Sequence, residues 1–322
     1  EIERHFMKVK SLGKIFDPRD YKLPNNCYEF VQSPQVVEFE HFIRVYFSTR
    51  EKDKCEKYLS HIAFVDMTKN FKIIDVSKNT VIKLGKLGTF DEHGIFPMNV
   101  LKVKDQIYAY TTGWTRRVSV SVDAAIGLAI SDDNGSTFKR IGDGPVLSSS
   151  LNEPFLVGDA FVQNYNNMFH MWYIHGVRWI KSKTGSSERV YKIAHASSQD
   201  GIDWIKSNKQ IITDKLNIDE CQALPTVIEK NGRYHMFFCY RDAQDFRSNR
   251  DKGYKIGYAY SLDLIDWIRD DELFTFKTSK GNWDDSMQCY PHAFTLDNRV
   301  YLMYNGNEFG RYGFGLLEIE FD

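Results

Sequence analysis

The chain lacks several features that would assign it to a functional class at once. It has no run of 18 apolar residues, so the sequence predicts no membrane-spanning helix. It also has no excess of either charge, because 42 Lys and Arg residues stand against 43 Asp and Glu residues, a net charge of −1. A neutral chain gives no electrostatic reason to predict binding to nucleic acid or to an anionic membrane surface.

Cysteine is also scarce. The five cysteines are scattered, odd in number and never arranged as Cys-x-x-Cys. This pattern favours a reduced, cytoplasmic protein and argues against a zinc site. The N-terminal segment is charged and lacks the apolar stretch of a signal peptide. No ligand spacing predicts a cofactor or another metal.

Aromatic residues, in contrast, are abundant. The chain has 23 Phe, 18 Tyr and 6 Trp, which together make up 15% of its residues. Aromatic side chains are typical of β-strands, and they also supply flat apolar faces on which a ligand stacks. The composition therefore predicts a β-rich protein.

A repeat organises the whole chain. Five segments each contain an apolar strand, a turn, an aromatic-rich strand and a strand of small residues. The same point of the first strand recurs every 63 to 66 residues, at Pro34, Pro97, Ala160, Pro225 and Pro291. The predicted first strands are 32–39, 94–103, 156–165, 221–230 and 289–297. The second strands are 41–50, 106–114, 168–176, 233–241 and 299–307. The third strands are 60–67, 125–132, 191–199, 254–262 and 312–320.

Four-stranded units repeated around an axis predict an all-β, five-bladed β-propeller that forms a single domain over residues 1–322. The predicted blades are approximately 13–85, 86–150, 151–215, 216–278 and 279–322. The last repeat has only three strands, so residues 5–9 are predicted to supply its fourth strand and close the sheet edge. Residues 178–189 are predicted to form a long loop. The alternative is a pair of β-sandwich domains, although no linker rich in Pro, Gly or Ser divides the chain.

Polar and acidic residues cluster where the predicted first strands begin. In a propeller these strands line the central channel, so side chains far apart in the chain meet there. The five entries hold Ser33, Asp91-Glu92-His93, Asp159, Asp219-Glu220, and Asp284-Asp285 followed by Tyr290 and His292. Carboxylates gathered around one channel predict either a cation site or a reaction centre with paired carboxylates.

The repeat and several local motifs resemble the five-bladed propeller glycosidases, a group that includes arabinanases, xylosidases, invertases, levansucrases and mannoside phosphorylases. Ser198-Gln199-Asp200-Gly201-Ile202-Asp203-Trp204 matches a phrase that recurs in these families. The resemblance implies that Asp159, in Val157-Gly158-Asp159-Ala160-Phe161, tunes the acid or stabilises the transition state. It implies that Glu220, before Cys221, is the general acid. Some relatives also hold a calcium ion near the axis. Ser33 stands where many members carry the Asp that acts as base or nucleophile.

Glycoside cleavage requires an acid for the leaving oxygen and a second group that acts on the anomeric carbon. Glu220 beside Asp219 fits the acid, and a buried Asp159 fits a supporting carboxylate. With Ser33 in place of the usual Asp, Asp91 or Glu92 is the candidate second carboxylate, and Asp91 is the candidate base or nucleophile. The predicted substrate-binding residues are Glu92, His93, Ser33, Trp114, Arg241, Tyr290, His292 and Asn305.

Three functions remain open from the sequence, all with a carbohydrate as the partner and none with a predicted oligomeric state. The first is a glycoside hydrolase with paired carboxylates. The second is a glycoside phosphorylase or glycosyltransferase, in which an anionic co-substrate replaces the missing base. The residues predicted to hold that anion are Arg241, Arg247, His292 and Arg311. The third is a carbohydrate-binding propeller without catalytic activity.

Overall fold

The computed structural model describes residues 6–322, which form 20 β-strands joined by turns and loops. Within that range the helical segments are short. They are the single-turn 3₁₀ helices Pro18–Asp20, Arg250–Lys252 and Asp271–Leu273 and the four-residue turn Asn307–Gly310. No helix in the described part of the chain is long and apolar enough to span a lipid bilayer.

The strands pair into four-stranded antiparallel arrays. The first strands are β2 (Gln32–Glu38), β6 (Gly94–Val103), β10 (Val157–Tyr165), β14 (Cys221–Lys230) and β18 (Cys289–Leu296). The second strands are β3 (Ile43–Lys52), β7 (Gln106–Arg116), β11 (Met168–Lys181), β15 (Arg233–Arg241) and β19 (Arg299–Asn305). The third strands are β4 (Tyr58–Met67), β8 (Val122–Ser131), β12 (Ser187–Ser198), β16 (Lys255–Ser261) and β20 (Phe314–Glu320). The outer strands are β5 (Ile73–Val76), β9 (Lys139–Arg140), β13 (Ile205–Lys206), β17 (Ile268–Arg269) and, beside β20, β1 (Lys8–Phe16).

We number the arrays by their first strands, from the first array on β2 to the fifth array on β18. The first and second arrays are joined into one larger sheet by a single parallel pair, Ser60 with Gly94. The predicted first, second and third strands are confirmed, and most of their ends agree within two residues.

Two predictions about strand positions need correction. Residues 178–189 are not a loop, because β11 and β12 continue as a hairpin whose pairs run from Arg178 with Val190 to Lys181 with Ser187. Charged and polar side chains dominate this hairpin, so its sequence lacks the apolar alternation of a half-buried strand. The strand beside β20 is Lys8–Phe16 rather than 5–9, and residue 5 lies outside the described residues.

Apolar cores lie between consecutive arrays. Val37 and Tyr46 of the first array pack with Ile95 and Met98 of the second. Comparable clusters lie between the second and third, the third and fourth, and the fourth and fifth arrays. A further cluster joins the fifth array to the first and includes Met303. Each array therefore buries both of its faces, which explains the high aromatic and aliphatic content of the second and third strands.

Side-chain hydrogen bonds also join the first strands to one another. Asn99 of β6 donates to Gln35 of β2 and accepts from the backbone amide of Val162 in β10, at 2.9 Å in both cases. His292 Nε2 of β18 accepts from the backbone amide of Val36 in β2, 3.1 Å away. Because these bonds satisfy buried backbone amides, they fix the spacing of the innermost strands.

Every first strand has a bulge at the same point, next to the recurrent Pro or Ala. Four of the bulges contain one residue with a positive φ, between 47° and 54°. These residues are Ser33, Asp159, Leu224 and Tyr290. Non-glycine residues rarely adopt this left-handed conformation, and it is often retained at functional sites. The bulges therefore identify the end of the first strands at which a site is expected.

Candidate active site

A cavity of about 420 Å³ opens beside the bulges. Its wall contains Asp159, Leu224 and Tyr290 from three bulges, and Phe96 from the equivalent position of β6. The charged residues that line it are Arg50, Asp159, Arg189, Arg241 and Arg247. Its aromatic residues are Tyr58, Phe96, Trp114, Tyr191, Phe246, Tyr254, Tyr290 and Phe309. The cavity is therefore cationic and aromatic, although the whole chain is neutral.

Asp159 is the only acidic residue among residues 6–322 that lines this cavity. Its side chain is buried, and its backbone amide donates to Thr112 Oγ1 at 2.8 Å. The carboxylate accepts one hydrogen bond, from the backbone amide of Leu224 at 3.3 Å. Burial raises the pKa of Asp159 to about 7, because one amide and the nearby Arg189 only partly compensate the desolvated charge. Near neutral pH this side chain is therefore able both to donate and to accept a proton.

Arg241 is anchored by two tyrosines at the wall of the cavity. Its Nη2 donates to the Tyr191 hydroxyl at 2.9 Å, and that hydroxyl is hydrogen-bonded to the Tyr254 hydroxyl. Nη1 donates to the backbone carbonyl of Asp242, whereas Nε is buried without a hydrogen-bond partner among the described residues. The guanidinium also lies over the Phe246 ring, 3.6 Å from its centroid. Arg241 is thus held rigidly without a carboxylate partner.

The other three arginines of the cavity differ in their partners. Arg247 pairs with Glu188 at 2.6 Å. Arg189 and Arg50 form no ion pair with any carboxylate in the described chain; Arg189 reaches only Ser121 Oγ, at 3.5 Å. Unpaired guanidinium groups at a partly desolvated wall are costly unless an anion binds there. The wall is consequently suited to an oxyanion such as phosphate or a carboxylate, which an arginine binds through two parallel N–H donors.

The sequence was compared with protein-family models and with the sequences of known proteins. No protein-family model matches the chain. Two uncharacterised proteins of Mycobacterium tuberculosis, MT1551 and Rv1502, are each 29% identical to it over 314 residues, which are 98% of this chain and 100% of theirs.

Solved structures superimpose over nearly the whole chain. A glycoside hydrolase has a TM-score of 0.72 and 14% identity, covering 96% of this chain and 91% of that one. The β-1,2-mannobiose phosphorylase of Listeria innocua has a TM-score of 0.69 and 10% identity, covering 97% and 96%. A thermostable family-43 glycoside hydrolase has a TM-score of 0.63 and 15% identity, covering 94% and 92%. The chain has the β-propeller fold of these enzymes. The predicted resemblance to the propeller glycosidases is thus confirmed for the fold.

Five of the predicted residues line the cavity of this propeller: Asp159, Trp114, Arg241, Arg247 and Tyr290. Trp114 lies beside Gly94, where a Cβ atom would come within 2.2 Å of the indole Nε1. The indole therefore occupies the space that the missing Cβ leaves, and its position depends on glycine at residue 94.

Glu220, the predicted general acid, does not line the cavity. Its side chain is fully buried, and its Oε1 accepts from Arg269 Nη1 at 2.6 Å. Its Oε2 accepts from the backbone amides of Lys215 and Leu216, each at 3.0 Å. The carboxylate thus closes the loop that precedes β14, and these donors occupy both of its oxygens.

The acidic residues that precede β6 in the second array also bond to other groups of the protein. Asp91 is buried and pairs with Arg140 at 2.6 Å. Glu92 accepts from the backbone amide of Gly88, and His93 Nδ1 accepts from the backbone amide of Arg116. None of the three lines the cavity, although the imidazole of His93 stacks on Trp114.

The remaining predicted residues connect the first and fifth arrays. The Ser33 amide donates to Asn305 Oδ1 at 2.7 Å, and Asn305 Nδ2 donates to the carbonyls of Val31 and Gly313. His292 accepts from Val36, and burial lowers its pKa to about 3. It is therefore neutral at physiological pH and does not supply a positive charge for an anion. Arg311, also predicted to hold the anion, pairs with Glu29 at 2.6 Å outside the cavity lining.

The sequence interpretation missed Arg50, Arg189, Tyr191 and Tyr254, which lie on second and third strands or next to them. One signal was present, because Arg50, Arg189 and Arg241 all stand at an end of a predicted strand or next to one, on the side where the first strands begin. Strand alternation alone does not show that such ends meet at one cavity, since that depends on how the arrays pack.

The described residues do not gather the ligands for a calcium ion like the one that some of the resembling enzymes hold near the axis. Among residues 6–322, no group of three or more His, Cys, Asp or Glu side chains is placed to hold a metal ion. Four polar side chains of the first strands, Gln35, Asn99, Thr226 and His292, each bond a backbone amide or another side chain of this set. The hard carboxylate oxygens that calcium prefers are not gathered there.

Proposed function

We propose that the protein is a glycoside hydrolase-like, carbohydrate-active enzyme that cleaves a glycosidic bond in this cavity, with Asp159 as the proton donor and inorganic phosphate as the acceptor of the glycosyl group. One observation carries the proposal: the cavity of a glycosidase-like propeller presents one buried carboxyl group beside guanidinium groups that lack carboxylate partners. A hydrolase with paired carboxylates would need a second acidic residue in the lining.

The proton step follows from the position of Asp159. Because burial raises the pKa of Asp159 to about 7, its carboxyl group is protonated in a large fraction of the protein molecules at neutral pH. The acid donates its proton to the glycosidic oxygen as the bond to the anomeric carbon breaks, and the alcohol leaves neutral. General acid catalysis of this kind contributes roughly 10²- to 10⁴-fold to the rate.

Phosphate supplies the nucleophile that the cavity lacks. A phosphate oxygen attacks the anomeric carbon while Arg189 and Arg241 balance its charge, so the products are a sugar phosphate and a free hydroxyl group. The proton that the phosphate ester loses returns the Asp159 carboxylate to its acid form. The reaction therefore does not require the Asp that many resembling enzymes carry at the position of Ser33, since no base is needed to activate water.

The same proposal includes the architecture and the substrate platform. The arrays form five blades of one domain around a common axis, supported by the apolar clusters that link each array to the next and the fifth to the first. Trp114 and Tyr58 are the surfaces on which a sugar ring stacks. The five cysteines are all free, which is consistent with a reducing, cytoplasmic location.

The test is a screen of manno-, gluco-, galacto- and arabino-oligosaccharides at pH 7, with and without inorganic phosphate, monitored for sugar phosphates and for reducing ends. We expect turnover that requires phosphate and falls at least 100-fold in Asp159→Asn. Asp20→Asn, a substitution at an exposed residue that ends the 3₁₀ helix Pro18–Asp20, is the matched control and should retain full activity.

Two results would overturn the proposal. Release of free sugar at the same rate without phosphate would favour hydrolysis. Sugar binding without turnover in any condition would favour the non-catalytic carbohydrate-binding protein.

A further inference from the structure

The unpaired arginines of the cavity come from different sides of the fold. Arg189 precedes Val190 in β12 of the third array, and Arg241 ends β15 of the fourth array. Arg50 lies on β3 of the first array, which packs between the second and fifth arrays. Arg189 and Arg241 thus come from neighbouring arrays, whereas Arg50 comes from the opposite part of the ring of arrays.

Tyr290, on the first strand of the fifth array, lines the same cavity as these arginines. Its phenol lies close enough to interact electrostatically with both Tyr191, which bonds Arg241, and Arg50. Its ring packs against those of Phe96 and Tyr254, with centroids 5.3 and 5.7 Å apart. Phe96, Tyr254 and Tyr290 thus form a packed aromatic part of the wall that Arg50 shares with Arg189 and Arg241.

Arg50 is held in place by rings and not by an acid. Its guanidinium lies 4.0 Å from the centroid of Phe30 and 5.1 Å from that of Tyr58. Its side chain donates no hydrogen bond to any residue in the described range 6–322, so its planar N–H fork is available to a ligand. Its side chain is largely desolvated, which lowers its pKa and leaves the positive charge without a compensating group.

We propose that Arg50 forms a second anion-binding position, which takes an oxyanion carried by the sugar substrate itself, either a carboxylate or a phosphate ester. This inference rests on the proposed function, in which inorganic phosphate binds at Arg189 and Arg241. A phosphate bound at Arg189 and Arg241 leaves the charge of Arg50, which comes from the first array, unpaired. An acidic sugar placed between the two positions pairs it and stacks on Tyr58.

The experiment measures equilibrium binding to Asp159→Asn, so it does not depend on turnover. Titration calorimetry at pH 7 compares glucose, galactose and mannose with their uronic acids and their 6-phosphates. We expect at least one acid to bind ten-fold or more tightly than its neutral counterpart, because a charge-assisted pair is formed. The uronic acids and the 6-phosphates show which oxyanion is preferred. The acid should also bind when the protein is already saturated with inorganic phosphate.

Variants of Arg50 then show whether this residue binds the oxyanion of the sugar. In the same background, Arg50→Gln should remove the advantage of the acid, and Arg50→Lys should restore part of it. Arg299→Gln, on an exposed arginine outside the cavity, should change nothing. A thermal melt of each variant shows whether it is folded. The inference is overturned if no acid binds better than its neutral counterpart, if Arg50→Gln keeps the preference, or if phosphate and the acid exclude each other. Loss of phosphate-dependent turnover alone would overturn the proposed function but not this preference.

Discussion

The Asp159 carboxylate accepts a hydrogen bond from the backbone amide of Leu224, 3.3 Å away on the neighbouring array. Both residues occupy the left-handed position of their bulge, with φ of 53° and 47°. One bulge thus orients its side chain into the cavity, while the next supplies the only hydrogen bond that the Asp159 carboxylate accepts from residues 6–322. The position of the candidate acid is therefore set by packing between arrays.

Asp159→Asn is expected to stabilise the protein in a pH-dependent way. The pKa of Asp159 is about 7 in the folded protein and near 3.8 when unfolded, so the unfolded chain loses its proton first and stability falls as pH rises from 4 to 7. The free energy of unfolding falls by at most about 4 kcal/mol over this pH range. The Asp159→Asn variant does not suffer this loss of stability. Its melting temperature should therefore match that of the wild-type protein at pH 4 and exceed it most at pH 8. A difference that does not change between these pH values would show that the carboxyl group is not desolvated.

Glu220→Gln is expected to affect stability more than activity. Breaking the buried pair with Arg269 should cost about 3 kcal/mol, near the lower end for such pairs because Arg269 keeps Asp271. Urea denaturation gives the loss, and kcat measured well below the midpoint should stay within a few-fold. Exposed Glu40→Gln is the control. A folded, equally stable variant with activity reduced 100-fold would instead make Glu220 the acid.

Tyr191→Phe tests the anchoring of Arg241. The substitution removes the hydroxyl that accepts from Arg241 Nη2, so the guanidinium loses its fixed orientation. We expect the KM for phosphate to rise about ten-fold, the value of one good hydrogen bond, with little change in kcat. Tyr21→Phe, on an exposed ring, should have no effect. An unchanged KM would place phosphate away from Arg241.

Gly94→Ala tests the role of Trp114. The added Cβ would lie 2.2 Å from the indole Nε1, so the ring must move out of its position. Loss of a stacking surface worth about 1 kcal/mol should weaken sugar binding about five-fold, measured as KM or by calorimetry. Gly142→Ala places its Cβ in open space and is the matched control. Equal sugar affinity in both variants would exclude Trp114 as a platform.

The sequence by itself determined the all-β character, the strand positions and the recurrent point of the first strands. These features are encoded locally, in the alternation of side chains and in the residues next to Pro34, Pro97, Ala160, Pro225 and Pro291. The same repeat placed Asp159 where the first strand of the third repeat begins. It did not show that the β11–β12 hairpin continues, because polar strands lack an apolar period.

Only the tertiary structure decided which polar residues share the cavity. Glu220 and Asp91 are acidic residues at strand entries in the sequence, but each is paired with an arginine contributed by an outer strand of its own array. Arg50, Arg189 and Arg241 are separated by up to 191 residues, and they line one cavity because the arrays pack side by side. Local sequence specifies which residues form each strand, whereas burial and charge pairing between strands decide which side chains remain available to a ligand.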